Sequence, residues 1–243
     1  MATGKEAPLS GIPPSPLLAY PSFSADSSKV VFRATENSRD SLYVVSAAGG
    51  VAEKICGRCG NAPVWSWDGT KIVYDSYDQT RYVGLLETVT GRTTQILKHP
   101  KYSLFQPQFC PGDRWISFAC MHKPDRTRVM VAPFHGAAAI PESEWIPVTD
   151  GSGFDSRPRW SPSGNLLYFT SDRDGFRCIW AQRLDTATKR PVGPAFTVRH
   201  FHDLRRLLSD IPELGFSVAR DKLVFNMIEQ TGNIWTFKLP EEK

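Results

Sequence analysis

The sequence has little of several features that would define its class directly. Cysteine is scarce, with five residues among 243, and this odd, low number excludes a small domain held together by disulfides. No apolar run approaches the roughly 20 residues that a helix needs to cross a bilayer. Residues 1–16 also lack the apolar stretch of a signal peptide. We therefore expect a chain that does not insert into a membrane.

An excess of charge of one sign is also small, because basic and acidic residues nearly balance. The formal net charge is +4 at pH 7, with 29 Lys and Arg against 25 Asp and Glu, and the basic residues are scattered. A nucleic-acid-binding surface needs its basic residues on one face, so we expect no nucleic-acid partner. Aromatic residues make up 12% and there are 19 prolines, which favours many strands and many turns.

Sequence motifs that identify a particular enzymatic reaction are missing as well. The chain has no Gly-x-Ser-x-Gly elbow, which would place a serine nucleophile on a sharp turn. It also has neither a phosphate-binding loop nor a dinucleotide fingerprint. We therefore predict no cofactor, and the absence of a catalytic motif favours a protein that is not an enzyme.

A motif that recurs along the whole chain is the strongest signal present. Each copy has Pro-x-aromatic-Ser or a close relative, then a polar turn, then an apolar run. The anchor aromatics are Phe23, Trp65, Phe109, Trp160 and Phe216, at spacings of 42, 44, 51 and 56 residues. A period of this size built from short strands is typical of β-propeller blades. The pattern predicts an all-β β-propeller with five four-stranded blade-like repeats, at about residues 21–60, 61–104, 105–154, 155–205 and 212–243.

Each copy can be divided into strands and turns. We expect the anchor to begin an inner strand, the Asp-Gly or Ser-Gly after it to form a hairpin turn, and the apolar run to pack on both faces between blades. Third strands are predicted near residues 42–45, 179–180 and 234–237, and fourth strands near 52–55 and 93–97. Helical spacing of apolar residues occurs only at 202–209.

The two ends of the chain leave two arrangements open. The fifth copy has three candidate strands and then ends, so residues 1–20 are a possible closing strand for the ring. Their four prolines suit an edge strand better than a central one. The first arrangement is a five-bladed ring that closes on itself. The second is part of a larger propeller with open edges, which would associate with other chains.

The fourth copy carries a resemblance to a known family. Its sequence PRWSPSGNLLYFTSDRDGFRCIW, at residues 158–180, is similar to the WD-like repeat of the TolB family of bacterial β-propellers. Copies two and four match best, whereas copy three has Cys110 in place of serine and copy five lacks the proline and the glycine. More narrowly, the chain resembles the C-terminal sensor propellers of bacterial Ser/Thr kinases and winged-helix regulators.

This resemblance implies a function of binding. A propeller of this kind is expected to be a sensor domain or interaction platform for a protein or peptide, with a small ligand as the alternative. The resemblance also implies a periplasmic or other extracytoplasmic location, which the lack of a signal peptide in this sequence does not support. The argument rests on fold alone, because one fold hosts many functions.

Four residues are the candidates for contacting such a partner: Trp145, Arg173, Arg205 and Arg206. Trp145 lies in the insertion at residues 141–147, where it either stacks on a ligand or partner or packs into the core. Arg173 stands between Asp172 and Asp174, in a stretch that also fits turns and ion pairs between blades.

The alternative function is a hydrolase or lyase that acts on glycans or peptides at the mouth of the propeller channel. Its candidate residues are His200, His202, Asp155 and Asp172. Alternate residues of a strand share a face, so the two imidazoles can reach one substrate or one metal. The competing interpretation is a pair of polar residues in a surface insertion.

Cys56-Gly-Arg-Cys59 is the remaining candidate. Its spacing fits a redox pair or half of a zinc site, but a zinc site needs two further ligands and no second Cys-x-x-Cys exists. The other interpretation is a turn between the first two blades, either reduced or closed by a local disulfide. We predict no metal, with Cys56 and Cys59 as the weak candidates.

Overall fold

A computed structural model of the chain describes residues 17–36, 39–57, 59–76, 79–203, 205–208, 215–232 and 236–237. These residues form β-strands, connected by turns, and one 3-10 turn at Glu142–Glu144. The part of the chain described here contains no helix with the length and apolar character that crossing a membrane requires. The predicted all-β class is confirmed.

Sixteen strands form four antiparallel sheets, and in each sheet the strands are paired in chain order. Blades one and two are β1 Leu18–Phe23, β2 Lys29–Glu36, β3 Arg39–Ser46, β4 Glu53–Gly57, β5 Asn61–Trp65, β6 Lys71–Asp75, β7 Val83–Glu87 and β8 Thr93–Leu97. Blades three and four are β9 Ser103–Phe109, β10 Trp115–Lys123, β11 Arg126–Pro133, β12 Ile146–Pro147, β13 Ser156–Trp160, β14 Leu166–Ser171, β15 Cys178–Arg183 and β16 Phe196–Arg199. Each sheet is one propeller blade.

The fifth repeat differs from the other four. Its strands form two separate pairs, β17 Arg206–Leu208 with β20 Met227–Glu229, and β18 Phe216–Val218 with β19 Leu223–Phe225. Because the residues described here hold four complete blades and these two pairs, the predicted count of five four-stranded blades is not confirmed.

Two local predictions in this region differ from the structure. The helical spacing at residues 202–209 does not produce a helix in the described part, because Arg206–Leu208 pairs with Met227–Glu229 as a strand. The third strand predicted at residues 234–237 falls partly on Ile234 and Trp235, which lie outside the described residues. Thr236 and Phe237, which are described, belong to no strand.

The innermost strands of successive repeats lie side by side. Contacts join β1 to β5, β5 to β9, β9 to β13 and β13 to β18, so the sheets are arranged around a common axis. The anchor aromatics of the first four repeats end these strands instead of beginning them, as the bounds of β1, β5, β9 and β13 show. The hairpin turn follows the anchor at once, so the strand must lie before it.

The hairpin after each anchor explains why the motif contains serine and aspartate. In blade two, Ser66 Oγ donates to Asp68 Oδ1 at 2.6 Å and accepts the backbone N–H of Lys71 at 2.9 Å. Ser24 makes the same two contacts in blade one. Side chains of this type fix a tight turn by bonding its backbone. The serine and aspartate of the repeat are therefore structural in these blades.

Apolar clusters fill the spaces between neighbouring blades. Val73 of β6 packs in the cluster with Phe118 of blade three. Ile72 and Tyr74 of the same strand pack in the cluster with Val31 of blade one. The strand is buried on both faces, which is why it reads as an unbroken apolar run.

The start of the chain bears on ring closure. β1 begins at Leu18 and pairs with β2, so residues 18–20 belong to the first blade. Residues 1–16 lie outside the described residues. The prediction that the N-terminal segment closes the ring therefore stays a prediction.

Candidate functional site

A cavity of about 590 Å³ opens at the centre of the propeller. All five repeats contribute to it through the inner strand or the turn after it. The lining residues are 20–23, 62–64, 67, 106, 108, 109, 111, 157, 159–162 and 215–218. A volume of this size lies within the range of roughly 300–1,000 Å³ that ligand pockets occupy. The cavity is the candidate binding site.

A β-bulge shapes each of the first four inner strands beside the cavity. The residue before the motif proline has a positive φ in every case: Tyr20 at 56°, Ala62 at 48°, Gln106 at 55° and Arg157 at 55°. The pairing register of each strand shifts at this point. Bulges of this kind bend a strand and re-aim its side chains, so the repeat itself creates the cavity wall.

Two arginines of β13 supply the charge of the cavity. Arg157 is buried in the wall, and its backbone N–H donates to Gln106 Oε1 at 2.8 Å. Arg159 donates from Nε to the carbonyl oxygen of Phe216 at 2.9 Å and from Nη1 to that of Pro158 at 2.8 Å. No Asp or Glu is present among the lining residues that the structure describes. The cavity is therefore a cationic pocket.

Arg159 keeps its charge despite this surrounding. Burial, and then the neighbouring Arg157, lower its pKa to about 10. This value is well above neutral pH, so the guanidinium stays protonated. Both acceptors named above are uncharged main-chain oxygens, so an anion entering the cavity would meet a cation that these oxygens do not neutralise.

A polar group behind the cavity holds the inner strands in place. Asp75, at the end of β6, accepts the backbone N–H of Gln106 through Oδ2 at 2.8 Å. This bond ties the bulge of blade three to blade two. Arg33, buried in blade one, donates to Asn61 of blade two. These bonds between blades fix the positions of the bulged residues that line the cavity.

Aromatic side chains surround the opening. Trp67 is 57% exposed and lines the cavity in the turn after β5, and Phe23 is also exposed there. Phe109, Trp160 and Phe216 line the cavity but are buried. Tryptophan and arginine are both enriched at binding hot spots, and the lining of this cavity contains both.

The predicted contact residue Trp145 lies elsewhere. It is 8% exposed and packs edge-on against Phe118, with 5.1 Å between ring centroids. Its indole N–H donates to the carbonyl oxygen of Ile140 at 3.3 Å. The structure therefore places Trp145 in the core, because the insertion folds back against blades two and three, and not on a binding surface.

The stretch around Arg173 serves contacts inside blade four. Arg173 pairs with buried Asp155 at 2.9 Å, and its guanidinium lies over the rings of Phe169 and Trp180. Asp172 accepts the backbone N–H of Phe154 at 2.7 Å. None of Asp155, Asp172 and Arg173 lines the central cavity.

Arg205 and Arg206 are exposed at the edge of the fifth repeat. Both point to Glu229 of β20, with the Nε atoms at 3.1 and 4.0 Å from Oε1. They accompany the pairing of β17 with β20 and lie apart from the cavity lining.

His200 and His202 lie on one side of the chain just after β16. Their ring centroids are 4.5 Å apart, and both contact Asp174. Neither lines the cavity. The structure brings together the two histidines of the hydrolase or lyase alternative, outside the lining of the central cavity. The two histidines cluster there with Asp174 and Cys178. The sequence indicated Asp174 only as a turn residue.

Cys56 and Cys59 are joined in a disulfide at the end of blade one. Among the interpretations of the Cys-x-x-Cys motif, the structure has the turn closed by a local disulfide. In this form the two sulfurs are not available to a metal.

The cavity residues were not among the predicted site residues. Arg157 and Arg159 stand at the two variable positions of the fourth anchor, Arg-Pro-Arg-Trp. Charge at both positions is unique to that copy, and this is the signal that could have identified them. For the histidine pair, the signal was Asp174-x-x-x-Cys178 near the end of the same blade.

No model of a known protein family matches the chain. Several solved structures, however, are similar to this chain in fold. A protein described as TolB from Agrobacterium tumefaciens has 19% identity and a TM-score of 0.67, over 88% of this chain and 70% of that one. TolB from Acinetobacter baumannii has 12% identity and a TM-score of 0.61, over 88% of this chain and 52% of that one.

A third similar structure is that of an enzyme. It is a puromycin-hydrolyzing peptidase from Mycobacterium tuberculosis, with 16% identity and a TM-score of 0.58, over 80% of this chain and 36% of that one. This chain thus spans about half of the second TolB structure and about a third of the peptidase. Identities at this level establish the fold alone, and the narrower resemblance to kinase and regulator propellers is not confirmed.

Proposed function

Because this chain has a TolB-like β-propeller fold with a cationic central cavity, we propose that it is a non-catalytic binding module. Its ligand is an extended protein or peptide segment that places a carboxylate in the cavity. The observation that carries this proposal is the pair Arg157 and Arg159 in a lining where no acidic residue is described. The alternative ligand is a small molecule whose carboxylate makes the same contact with the cavity arginines.

The chemistry of the lining supports a peptide. Arg159 offers a charged donor, and hydrogen bonds to charged groups contribute about 1.5–3 kcal/mol each. Trp67 offers an exposed aromatic face at the rim, on which an apolar side chain of the segment can pack. Together these features provide one charged and one apolar contact, which is enough to orient a segment.

The hydrolase or lyase alternative has a weaker basis. It draws on the likeness to the peptidase from M. tuberculosis, which concerns fold only. An enzyme needs two or three titratable groups converging in one concave pocket. Of its four candidate residues, His200, His202, Asp155 and Asp172, none lines the central cavity. A sensor role and an extracytoplasmic location remain predictions from the resemblance.

The proposal is tested with three fluorescein-labelled peptides of equal length and equal aromatic content. One carries several glutamates, one carries glutamines at the same positions and one carries lysines. Fluorescence anisotropy at low and moderate salt measures their affinities. We expect the glutamate peptide to bind best and to weaken with salt, because its carboxylates pair with the cavity arginines.

Two variants locate the binding. Arg159→Gln is expected to weaken the glutamate peptide about 10–100-fold, the equivalent of one charged hydrogen-bond partner. Trp67→Ala is expected to weaken all three peptides, and since Trp67 is exposed its loss leaves the fold intact. The matched control is Arg92→Gln, which removes the same charge from the outer edge of blade two. Equal binding by Arg159→Gln and Arg92→Gln would contradict the proposal, as would preference for the lysine peptide.

A further inference from the structure

Four side chains with metal-binding chemistry converge at the end of blade four, far along its strands from the cavity. They are Asp174, Cys178, His200 and His202, and one ligand atom from each lies within 4.8 Å of all the others. Asp174 is in the turn between β14 and β15, Cys178 begins β15, and the two histidines follow β16. We call these four residues the His/Cys/Asp cluster.

Three of the ligand atoms already form a compact triangle. His200 Nδ1 and His202 Nε2 are 3.2 Å apart. Asp174 Oδ2 lies 3.0 Å from the first and 2.9 Å from the second. Zinc bonds of about 2.0–2.1 Å to nitrogen and oxygen in tetrahedral geometry require ligand atoms about 3.3 Å apart. The triangle thus needs to expand by only a few tenths of an ångström to become one face of a zinc tetrahedron.

Each ring can donate one hydrogen bond to Asp174 Oδ2, but no proton then remains for the 3.2 Å contact between the two ring nitrogens. A ring nitrogen has a single in-plane direction, which holds either one proton or one lone pair. His200 Nδ1 and His202 Nε2 each face two partners at once, the other ring and the Asp174 carboxylate. A cation between the three atoms would accept a lone pair from each of them, and this would also account for the close approach of the two ring nitrogens.

Cys178 supplies the fourth corner from the interior. It is 0% exposed, and the backbone N–H of Phe201 donates to its Sγ at 3.3 Å. A metal-bound thiolate is commonly supported by donors of this kind, because outer hydrogen bonds orient the ligand and spread its charge. The histidines close the site from outside, with 51% and 43% of their side chains exposed.

We propose that the His/Cys/Asp cluster is a zinc site. One thiolate, two imidazoles and one carboxylate match the donors that Zn²⁺ takes, whereas Mg²⁺ and Ca²⁺ require oxygen ligands. Four protein ligands make a closed coordination sphere, which is the form of a structural site and leaves no position for a substrate. This function is separate from ligand binding in the cavity.

The site would fix the junction between blade four and the fifth repeat. His200, Phe201 and His202 alternate, with both imidazoles directed to the cluster and the Phe201 ring in the apolar core. That core contains Phe216, and Phe201 packs edge-on against Phe225 with 5.3 Å between centroids. A metal held by both histidines would therefore lock the segment that connects blade four to the last repeat.

The first test measures zinc directly. The chain is purified after growth with added zinc, its metal content is determined by mass spectrometry, and its affinity is measured by competition with a chromophoric chelator. We expect one zinc per chain. His200→Gln and His202→Gln are each expected to lower the affinity more than about 100-fold, beyond the 10–100-fold effect of losing a hydrogen-bond partner of a ligand. His135→Gln, another partly exposed histidine paired with a carboxylate, is the matched control.

The second test identifies the sulfur ligand. Cobalt replaces zinc, and a thiolate-to-cobalt charge-transfer band with intense visible d–d bands is expected from the tetrahedral site. Cys178→Ser is expected to remove the charge-transfer band. The double variant Cys56→Ser, Cys59→Ser is expected to keep it, because those sulfurs form a disulfide.

Several results would overturn the proposal. They are a wild-type chain without zinc, unchanged affinity in both histidine variants, zinc lost in the His135 variant, or a charge-transfer band that disappears with Cys56 and Cys59. Because His200 and His202 are partly exposed, their glutamine variants are expected to fold, which circular dichroism and a cooperative melt verify. If the buried Cys178→Ser variant does not fold, the two histidine variants and the cobalt spectrum of the wild type still decide the question.

Discussion

Replacing Asp75 by asparagine is expected to remove a defined part of the pH dependence of stability. Asp75 is 1% exposed, and its Oδ2 accepts the backbone N–H of Gln106 across the boundary between blades two and three. Burial raises its pKa from the ordinary 3.8 to about 6, although the charges of Arg81 and Arg33 oppose this shift. Asparagine retains a carbonyl oxygen for the Gln106 N–H and does not ionise.

The sign and the size of the effect follow from this shift. The folded protein holds the Asp75 proton more tightly than the unfolded chain, so the contribution is fully present below about pH 4 and is lost as the pH rises through about 6. The difference of about two pKa units corresponds to about 3 kcal/mol. Above that range the buried carboxylate carries its full desolvation cost, which the asparagine variant does not carry.

Urea unfolding at about pH 4, 5, 6 and 7 measures the effect. Relative to Asp75→Asn, the wild type is expected to lose about 2.4 kcal/mol of unfolding free energy between pH 4 and pH 7, since part of the full effect is already lost at pH 4. Histidines and other carboxylates titrate in both proteins and cancel in this difference. Asp125→Asn, at an exposed position, is the control and should run parallel to the wild type. Parallel profiles for Asp75→Asn and the wild type would refute the reasoning.

Two further predictions concern packing. Phe118→Ala, which empties a fully buried position against Trp145, should lower the free energy of unfolding by about 3–5 kcal/mol in urea. The exposed Val89→Ala should change it by less than about 0.5 kcal/mol, and similar values for both would contradict the packing. A Cβ on Gly60 would lie 1.7 Å from the carbonyl oxygen of Asp75, whereas one on Gly57 meets its nearest atom at 3.6 Å. Gly60→Ala should therefore melt at least about 5 °C below Gly57→Ala, and equal melting temperatures would show that the strands can move apart.

The fold was predictable from sequence where local rules repeat. A serine two residues before an aspartate, as in Ser66 and Asp68, fixes the same hairpin in blades one and two. The apolar run at Ile72 and Val73 predicts a strand buried on both faces, and the structure confirms it. These features need only neighbours in sequence and the adjacent blade, so a single copy carries the information.

The last repeat was not predictable in the same way. Its copy of the motif lacks the proline and the glycine that fix the bulge and the turn. The pairing of Arg206–Leu208 with Met227–Glu229 joins segments about 20 residues apart, and such pairing depends on register and burial that local propensity does not encode. In the described part of residues 202–209, the pairing of Arg206–Leu208 with β20 therefore overrides the helical spacing of the sequence.

The candidate sites show the same limit. The alternation of His200 and His202 predicted that both rings share a face, and the structure brings them together. Their partners Asp174 and Cys178 come from the far end of β15, where only the pairing of β15 with β16 decides which residues meet. Trp145 is the opposite case, because its insertion offered no pattern that separates an exposed aromatic from a buried one.

The fifth repeat connects the cavity with the His/Cys/Asp cluster. Within blade four, Trp160 pairs with Leu167 beside the cavity, and Ser171 pairs with Cys178 at the other end of β14, about 13 Å away along the strand. Yet Phe216 shares a core with Phe201, which lies between the two histidines, and its carbonyl oxygen also holds Arg159. A metal at the cluster would therefore hold, through Phe201, the core that contains Phe216 and with it the carbonyl oxygen that positions Arg159 beside the cavity.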